Sequence, residues 1–205
     1  METQAKSHLA VLHQDAKKDF SRMGKGIVKS VFATPQPSDL KNAYLAISKV
    51  QGEKLYNIII ENNCKHIVEF GTSFGISTIY FAEAARVTGG KVITTELIES
   101  KAKTAAINFE KAGVSELIEI RIGDAIASLK NYDKKIDFLF LDGWKDLYLP
   151  LLKQLEPNFK SGTLIYADNM NFKSTKAYAD YILQKQDKYT TQIVDDGKGF
   201  LSIVA

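Results

Sequence analysis

Apolar runs of strand length alternate with stretches of helical periodicity along most of this chain. Strands are predicted at 65–70, 91–95, 117–122, 136–141 and 162–167. Helices are predicted at 75–87, 100–112, 147–156 and 175–184, with a short one after Asp124. Because strands and helices alternate, we expect right-handed crossovers and a doubly wound α/β fold.

Two further apolar segments, 190–194 and 200–204, flank a turn rich in Asp and Gly near the end of the chain. This spacing predicts a closing hairpin that adds one antiparallel strand at an edge of the sheet. The expected sheet therefore has seven strands and is mostly parallel, with a C-terminal antiparallel strand.

The start of the chain, 1–37, is predicted to be a helical arm ahead of one domain that spans 38–205. Apolar residues recur in the arm at helical spacing, at Leu9, Leu12, Ala16, Phe20 and Met23. We expect this helix to dock on the chain's own core or on the second subunit of a homodimer. A place on a membrane surface is the less favoured alternative.

Capping residues divide the arm from the elements that follow. Pro35 and Pro37 end the arm, and Ser38 or Asp39 can cap the next helix. That helix is predicted over 40–62, with a break near Gly52. Further along, Gly113 is expected to be the C-cap of the helix over 100–112.

Composition and charge are ordinary for a globular protein of 205 residues, with 45% apolar and 25% charged residues. The net charge of +3 comes from lysines that are spread out, so a nucleic-acid partner is not expected. Cys64 is the only cysteine, which excludes an internal disulfide and fits a reducing cytoplasm. Since no apolar run is long enough for a signal peptide or a membrane span, we expect a soluble cytoplasmic protein.

The fourth predicted strand ends abruptly in charged residues. The stretch IDFLFLDGWKD, at 136–146, passes from an apolar run to Asp142 and then to Lys145. The carboxyl end of a strand is where open α/β sheets bind their ligands. Two interpretations stay open for these residues: a structural ion pair, or a site in which Lys145 acts as a base. Trp144 can form an apolar wall beside a substrate, or simply pack.

The first predicted strand runs into a loop with the spacing E-x-G-x-x-x-G, in which Glu69, Gly71 and Gly75 are the fixed positions. Glycines at a strand-to-helix turn let the backbone approach a nucleotide-like cofactor closely. The third glycine of the dinucleotide fingerprint is missing. The loop therefore favours a cofactor with an amino-acid tail over one with a pyrophosphate.

Two more strand ends add candidate contacts to such a cofactor. Glu96 ends the second strand and can accept hydrogen bonds from both hydroxyls of a ribose; the alternative is a solvated strand end. The third strand ends in Gly123-Asp124-Ala125, which can form the wall of an adenine pocket. Asp124 can equally be a simple helix N-cap.

The fifth predicted strand ends in Asp168-Asn169 and should lie beside the fourth. Asp142, Asp168 and Asn169 are then expected to converge at one edge of the sheet. Three oxygen ligands without His or Cys are typical of a site for a hard divalent cation such as Mg²⁺. The alternative is two unrelated strand ends, which the other site residues make less favoured.

With these residues in view, the sequence resembles the cation-dependent O-methyltransferases that use S-adenosylmethionine, among them the catechol and caffeoyl-CoA O-methyltransferases. LDGWKDLYLP is close to the catechol enzyme's version, and VEFGTSFGIS, ITTELIE and ADN match other family motifs in order and spacing. The resemblance runs from about Ile47 to the C-terminus and implies the Rossmann-like fold of class I methyltransferases. Thr72-Ser73-Phe74 is bulkier than many family loops, and Ile76 stands where relatives often have an aromatic residue.

The resemblance implies a role for individual residues. Those that would bind S-adenosylmethionine are Ile47, Glu69, Gly71, Ser73, Ser77, Glu96 and Ala125. Those that would bind the cation, Mg²⁺, are Asp142, Asp168 and Asn169. Lys145 would be the catalytic base and, with Asp142, form the catalytic pair.

The expected function is methyl transfer to a hydroxyl of a small, catechol-like acceptor held on the cation. Three alternatives remain: a metal-dependent methyltransferase acting on tRNA, a nicotinamide-dependent oxidoreductase, and a non-catalytic protein that binds S-adenosylmethionine. A tRNA enzyme needs a basic groove, which the sequence does not show clearly. The missing glycine and the Asp-Asn pair argue against the oxidoreductase.

Overall fold

The computed structural model describes residues 1–19, 21–22 and 36–205. The strands of its central sheet are β1 (His66–Phe70), β2 (Lys91–Glu96), β3 (Ile118–Ile122), β4 (Phe138–Leu141), β5 (Leu164–Ala167), β6 (Tyr189–Val194) and β7 (Gly199–Val204). The α-helices described are α1 (Thr3–Ala16), α2 (Lys49–Glu61), α3 (Ile76–Thr88), α4 (Glu99–Ala112), α5 (Ala125–Ser128), α6 (Tyr148–Leu155) and α7 (Lys176–Gln184).

The seven strands form one sheet in the order β3-β2-β1-β4-β5-β7-β6. Strands β1 to β5 pair in parallel, and β7 is antiparallel to both of its neighbours. The predicted doubly wound sheet and its C-terminal antiparallel strand are confirmed. The antiparallel strand does not lie at the edge, as expected, but one position inside it, because β7 returns between β5 and β6.

The central strands are apolar along their whole length because helices cover both faces of the sheet. Every residue of β4 and β5 is buried. Phe138 and Phe140 face one core, and Leu139 and Leu141 face the other. This rigid centre fixes where the carboxyl ends of the strands, and the loops that follow them, stand.

The helix of the arm docks on the chain's own core. Ala5, Leu9 and Leu12 are buried in the cluster that also contains residues of α3 and α4. The predicted helix positions Phe20 and Met23, together with Pro35, lie outside the described residues. Self-docking is the first of the two arrangements predicted for the arm.

The helix expected over 40–62 was predicted wrongly at its start and at its middle. Helix α2 begins at Lys49, because Ser48 caps it by accepting a hydrogen bond of 3.1 Å from the Gln51 backbone N–H. It continues through Gly52 without a break; the glycine is needed there because a Cβ would collide with the ring of Tyr80. Neither Ser38 nor Asp39 caps this helix, and both lie in a short 3₁₀-helix, Pro37–Leu40.

Three other features bear on predictions made from the sequence. Cys64 is buried, and burial raises the pKa of its thiol to about 12, which fits a packing role. Among the helices of the described residues, none combines the length and the apolar character needed to cross a membrane. Gly113 is the left-handed C-cap of α4, as predicted.

Candidate active site

A cavity of about 590 Å³ lies at the carboxyl ends of the parallel strands. Strand β1 is flanked by β2 on one side and β4 on the other, so the chain changes direction across the sheet at this place. Such a switch point is where open α/β sheets form a binding crevice. All of the predicted site residues line the cavity except Glu69 and Asp168.

The loop after β1 passes directly against the loop after β4. Gly71 has a φ of 107°, which favours glycine, and a Cβ there would stand 2.8 Å from the backbone oxygen of Asp142. Gly75, with a φ of 90°, forms the N-cap of α3. Both glycines of the predicted motif are therefore required by close approach or by backbone conformation.

Glu69 lies beneath this loop and is fully buried. Its carboxylate accepts hydrogen bonds from the hydroxyls of Ser77, Thr78 and Thr94, at 2.5, 2.5 and 2.6 Å. Burial raises the pKa of Glu69 to about 7, against the opposing effect of the three hydroxyls. Its oxygens hold Ser77 in place, while Ser77 itself reaches the cavity wall.

Glu96 ends β2 and joins two segments of the cavity wall. One carboxylate oxygen accepts a hydrogen bond of 2.8 Å from the Ser73 backbone N–H, and the other accepts one of 2.9 Å from Ile98. Each oxygen keeps a lone pair for a further donor. On the neighbouring strand end, Asp124 is the N-cap of α5, and Ala125 lines the cavity.

Asp142 and Asp168 stand side by side at the ends of β4 and β5. The residues before them, Leu141 and Ala167, are register partners, and the Asp168 backbone N–H donates to the Leu141 oxygen at 2.9 Å. Neighbouring strands are about 4.8 Å apart, so the two side chains leave the sheet at adjacent points. Asp142 and Asn169 lie on the wall of the same cavity.

The two carboxylates share an environment that disfavours their charge. Burial raises the pKa of Asp142 to about 7; the negative charges of Asp168 and Glu69 add to this effect, while Lys145 opposes it. Burial likewise raises the pKa of Asp168, although hydrogen bonds from the Asn169 backbone and the Gln51 side chain act against it. A cation placed between the carboxylates would relieve this cost.

Lys145 lies in the loop after β4, in the short 3₁₀-helix Lys145–Leu147. Its Nζ is 3.0 Å from Asp142 Oδ1, and its side chain is only 18% exposed. Nζ also lies 5.3 Å from the centroid of the Tyr148 ring. The ion pair that the sequence suggested is therefore present, and it borders the cavity rather than the outer surface.

A model of the O-methyltransferase family matches residues 30–194. This chain belongs to the O-methyltransferase family. It is 32% identical over 130 residues to a catechol O-methyltransferase of Niastella koreensis, covering 62% of this chain and 58% of that protein. It is 30% identical over 157 residues to caffeoyl-CoA O-methyltransferase 2 of Petunia hybrida, covering 73% and 64% respectively. The chain thus spans less than two thirds of the length of these two relatives.

Solved structures share the fold of this O-methyltransferase family member. An O-methyltransferase from Bacillus cereus, determined in complex with SAH, has a TM-score of 0.69 at 23% identity. The similarity covers 88% of this chain and 96% of that one. The predicted family and fold class are therefore confirmed by independent comparisons.

The donor set at the β4 and β5 ends fits a hard cation in this family member. No group of three or more His, Cys, Asp or Glu residues that could hold a metal occurs in the described ranges, 1–19, 21–22 and 36–205. A site here would consequently depend on the amide oxygen of Asn169 beside the two carboxylates. Carboxylate and amide oxygens are the ligands that Mg²⁺ prefers.

Two side chains of the cavity wall, Tyr44 and Lys101, were not predicted from the sequence. The rings of Tyr44 and Phe74 pack with their centroids 4.6 Å apart, and Lys101 lies beside Phe74. Lys101 shares the buried face of α4 with Ala105 and Phe109. A lysine at a position where helical periodicity demands an apolar residue was the available signal.

Proposed function

We propose that this protein transfers a methyl group from S-adenosylmethionine to one hydroxyl of a small acceptor with two adjacent hydroxyls, in the manner of a catechol. One observation carries the proposal. Asp142, Asp168 and Asn169 form an acidic edge, in which Asp142 and Asn169 line the same cavity as Glu96 and Lys145 lies 3.0 Å from Asp142. A place for an acceptor hydroxyl and a place for a nucleoside therefore share one cavity.

The S-adenosylmethionine site is supported by the β1 and β2 ends of the cavity. Gly71 lets the backbone come close to a ligand, and Ile47, Ser73 and Ser77 line the wall around it. Glu96 and Ala125 also line this cavity. In the proposed complex, Glu96 accepts hydrogen bonds from the ribose hydroxyls and Ala125 borders the adenine. The SAH in the Bacillus cereus structure supports the same class of cofactor.

A divalent cation, which we propose to be Mg²⁺, would be held by Asp142, Asp168 and Asn169. When bound, such a cation orients two adjacent acceptor oxygens and lowers the pKa of the hydroxyl it contacts. Asp142 and Asp168 supply negative charge that burial otherwise disfavours. Asn169 supplies a neutral oxygen, which limits the charge concentrated at the site.

Lys145 is proposed as the base. Its Nζ, in the neutral form, takes the proton of the attacking hydroxyl. The hydroxyl oxygen then forms a bond to the methyl carbon, the carbon–sulfur bond breaks, and the sulfur keeps the electron pair to give S-adenosylhomocysteine. Asp142 holds the amine at hydrogen-bond distance and so fixes the direction of the proton transfer.

The residues that line the cavity favour a small aromatic acceptor. Leu40, Trp144 and Phe172 line the same cavity as Lys145, and Phe172 is 54% exposed. Apolar walls with a few polar groups are typical of small-molecule sites. The catechol and caffeoyl-CoA enzymes among its relatives carry names that fit such acceptors. A cytoplasmic location is proposed together with this function, because the only cysteine is a buried thiol.

The test is transfer of a labelled methyl group to a panel of vicinal-diol phenols, with Mg²⁺ or with excess chelator. We expect product from at least one diol, none from the matching phenols with a single hydroxyl, and none with chelator. Full transfer in chelator would overturn the cation's role. Transfer to tRNA, with none to any diol, would establish the alternative acceptor, and cofactor binding without transfer would establish the non-catalytic alternative.

A further inference from the structure

Lys101 is a buried lysine in the cavity wall that the proposed mechanism does not use. Only 3% of the residue is exposed. Its Nζ donates a hydrogen bond of 3.2 Å to Ser73 Oγ and lies 5.4 Å from the centroid of the Phe74 ring. Burial lowers the pKa of Lys101, while the negative charges of Glu96 and Asp19 raise it. The amine is thus within electrostatic reach of two carboxylates from distant parts of the chain.

The first of these carboxylates, Glu96, holds the loop after β1. It accepts the backbone N–H of Ser73, the same residue whose hydroxyl accepts from Lys101. Ser73 has a φ of 49°, which is uncommon for a residue with a side chain and needs support from its surroundings. Lys101 therefore holds the side chain of Ser73, and Glu96 holds its backbone.

The second carboxylate, Asp19, holds the segment that covers the cavity. It accepts hydrogen bonds of 2.9 and 2.8 Å from the backbone N–H groups of Tyr44 and Leu45. Leu45 has a φ of 50°, a second left-handed residue that is not glycine. Ser73 Oγ donates to the Tyr44 carbonyl, so the covering segment and the loop after β1 are joined.

We propose that Lys101 is a positioning residue for the cofactor: it ties the Ser73 loop, Glu96 and the Tyr44 segment into one preorganised wall. The proposal rests on S-adenosylmethionine being the cofactor, as proposed above. When the wall is already ordered, less conformational entropy is lost on binding. The affinity for the cofactor is then higher without new contacts to it. Lys101 acts through Ser73 and Glu96 rather than on the reacting atoms.

A merely structural lysine would behave differently when its charge is removed. Burying a charged amine costs free energy. If Lys101 only packs or pairs within the fold, an apolar side chain of similar length should leave the stability unchanged or raise it. A positioning role predicts weaker binding of the cofactor without a matching loss of stability. The variant Lys101→Met separates these outcomes because methionine keeps most of the length and volume.

The experiment measures the Kd for S-adenosylhomocysteine by calorimetry, and the ligand-free melting temperature, for the full chain. We expect Lys101→Met to weaken binding about tenfold, the usual worth of a hydrogen bond to a charged group, with an unchanged or higher melting temperature. Ser73→Ala removes the acceptor of the same bond. Ser73→Ala also loses the bond from Ser73 Oγ to the Tyr44 carbonyl. If Lys101 acts through Ser73, the double variant should therefore bind about as weakly as Ser73→Ala alone.

The control is Lys103→Met, on the same helix, where an exposed lysine pairs with Glu99 at 2.8 Å; its Kd should match the unaltered protein. Equal affinity in Lys101→Met and the control would overturn the proposal, as would effects of Lys101→Met and Ser73→Ala that simply multiply. If Lys101→Met does not fold, Lys101→Leu replaces it in the same comparison: a Kd equal to that of the control overturns the proposal, and a loss of about tenfold supports it. Absence of binding by the unaltered protein would instead contradict the proposed cofactor.

Discussion

The carboxylates at the two ends of the cavity differ in how the protein satisfies them. At the β1 and β2 end, Glu69 accepts from three hydroxyls and Glu96 from two backbone N–H groups. At the β4 and β5 end, Lys145 is the hydrogen-bond donor that reaches the Asp142 side chain within the described part of the chain, and Asp168 stands beside it. At the first end the hydrogen bonds of the carboxylates are made without a metal ion, whereas the second end has two buried carboxylates and few donors.

This difference separates two tasks. Groups whose hydrogen bonds are already made hold a fixed shape, which suits recognition of a cofactor. Closely spaced buried carboxylates with few donors suit a cation, because each raises the cost of charging the other. Gly71 links the two ends, since its backbone passes against that of Asp142.

The largest expected effect comes from a change at the acidic end, where β4 and β5 end. It lowers the rate of methyl transfer and leaves cofactor binding unchanged. Lys145→Met should lower kcat by about 10²- to 10⁴-fold, the range attributed to a positioned base. The Kd for S-adenosylhomocysteine should stay within about twofold, because no donor at the β2 end is touched. Methyl-transfer kinetics and calorimetry check both, with the exposed Lys176→Met as the control. A kcat near that of the unaltered protein would remove Lys145 from the role of base.

A smaller effect, on the affinity for the cofactor, is expected at the cofactor end. Glu96→Gln leaves one acceptor oxygen for two backbone donors and the ribose, so the Kd for S-adenosylhomocysteine should rise about tenfold. At saturating cofactor, kcat should change by less than about threefold, since the acidic end is untouched. The opposite pattern, with affinity kept and kcat lost, would show that the two ends do not divide the tasks in this way.

The third effect is on stability rather than on activity, and it depends on pH. The pKa of Glu69 is about 7 in the folded protein, against 4.5 as the ordinary value. Between those two pH values the folded chain keeps a proton that the unfolded chain has released, so this carboxyl lowers the free energy of unfolding as pH rises. The loss is on the order of 3 kcal/mol and is complete above about pH 7.

In Glu69→Gln, the free energy of unfolding should fall less steeply as pH rises from about 4.5 to 7, because the amide has no proton to lose. Denaturant unfolding at several pH values from about 4.5 to 8 measures it. A slope in Glu69→Gln equal to that of the unaltered protein would mean that Glu69 does not titrate in this range.

The fold was predictable because its signals are local. The apolar runs of β1 to β5 and the helices between them each carry their own periodicity, and Asp142 and Asp168 follow directly from two of those runs. Parallel neighbours bring their carboxyl ends together, so the acidic edge could be placed without coordinates.

What could not be predicted depends on contacts between distant segments. The hydrogen bonds of Asp19 to Tyr44 and Leu45 leave no pattern in the sequence, and neither does the bond of Lys101 to Ser73. The helix expected from Leu40 begins only at Lys49, because the segment before Ser48 is held by Asp19 in a shape that periodicity does not encode. The antiparallel strand was wrongly predicted at the edge of the sheet for the same reason. Whether β6 or β7 pairs with β5 depends on contacts between distant segments.

The account depends most on cation binding at the acidic end, and binding of Mn²⁺ to the full chain, followed by electron paramagnetic resonance, tests it directly. We predict one bound ion per chain that Mg²⁺ displaces, with an affinity about a hundredfold lower in Asp168→Asn. The exposed carboxylate variant Asp180→Asn should bind as the unaltered protein does. No bound Mn²⁺ in the unaltered protein, or equal affinity in Asp168→Asn, would contradict the account.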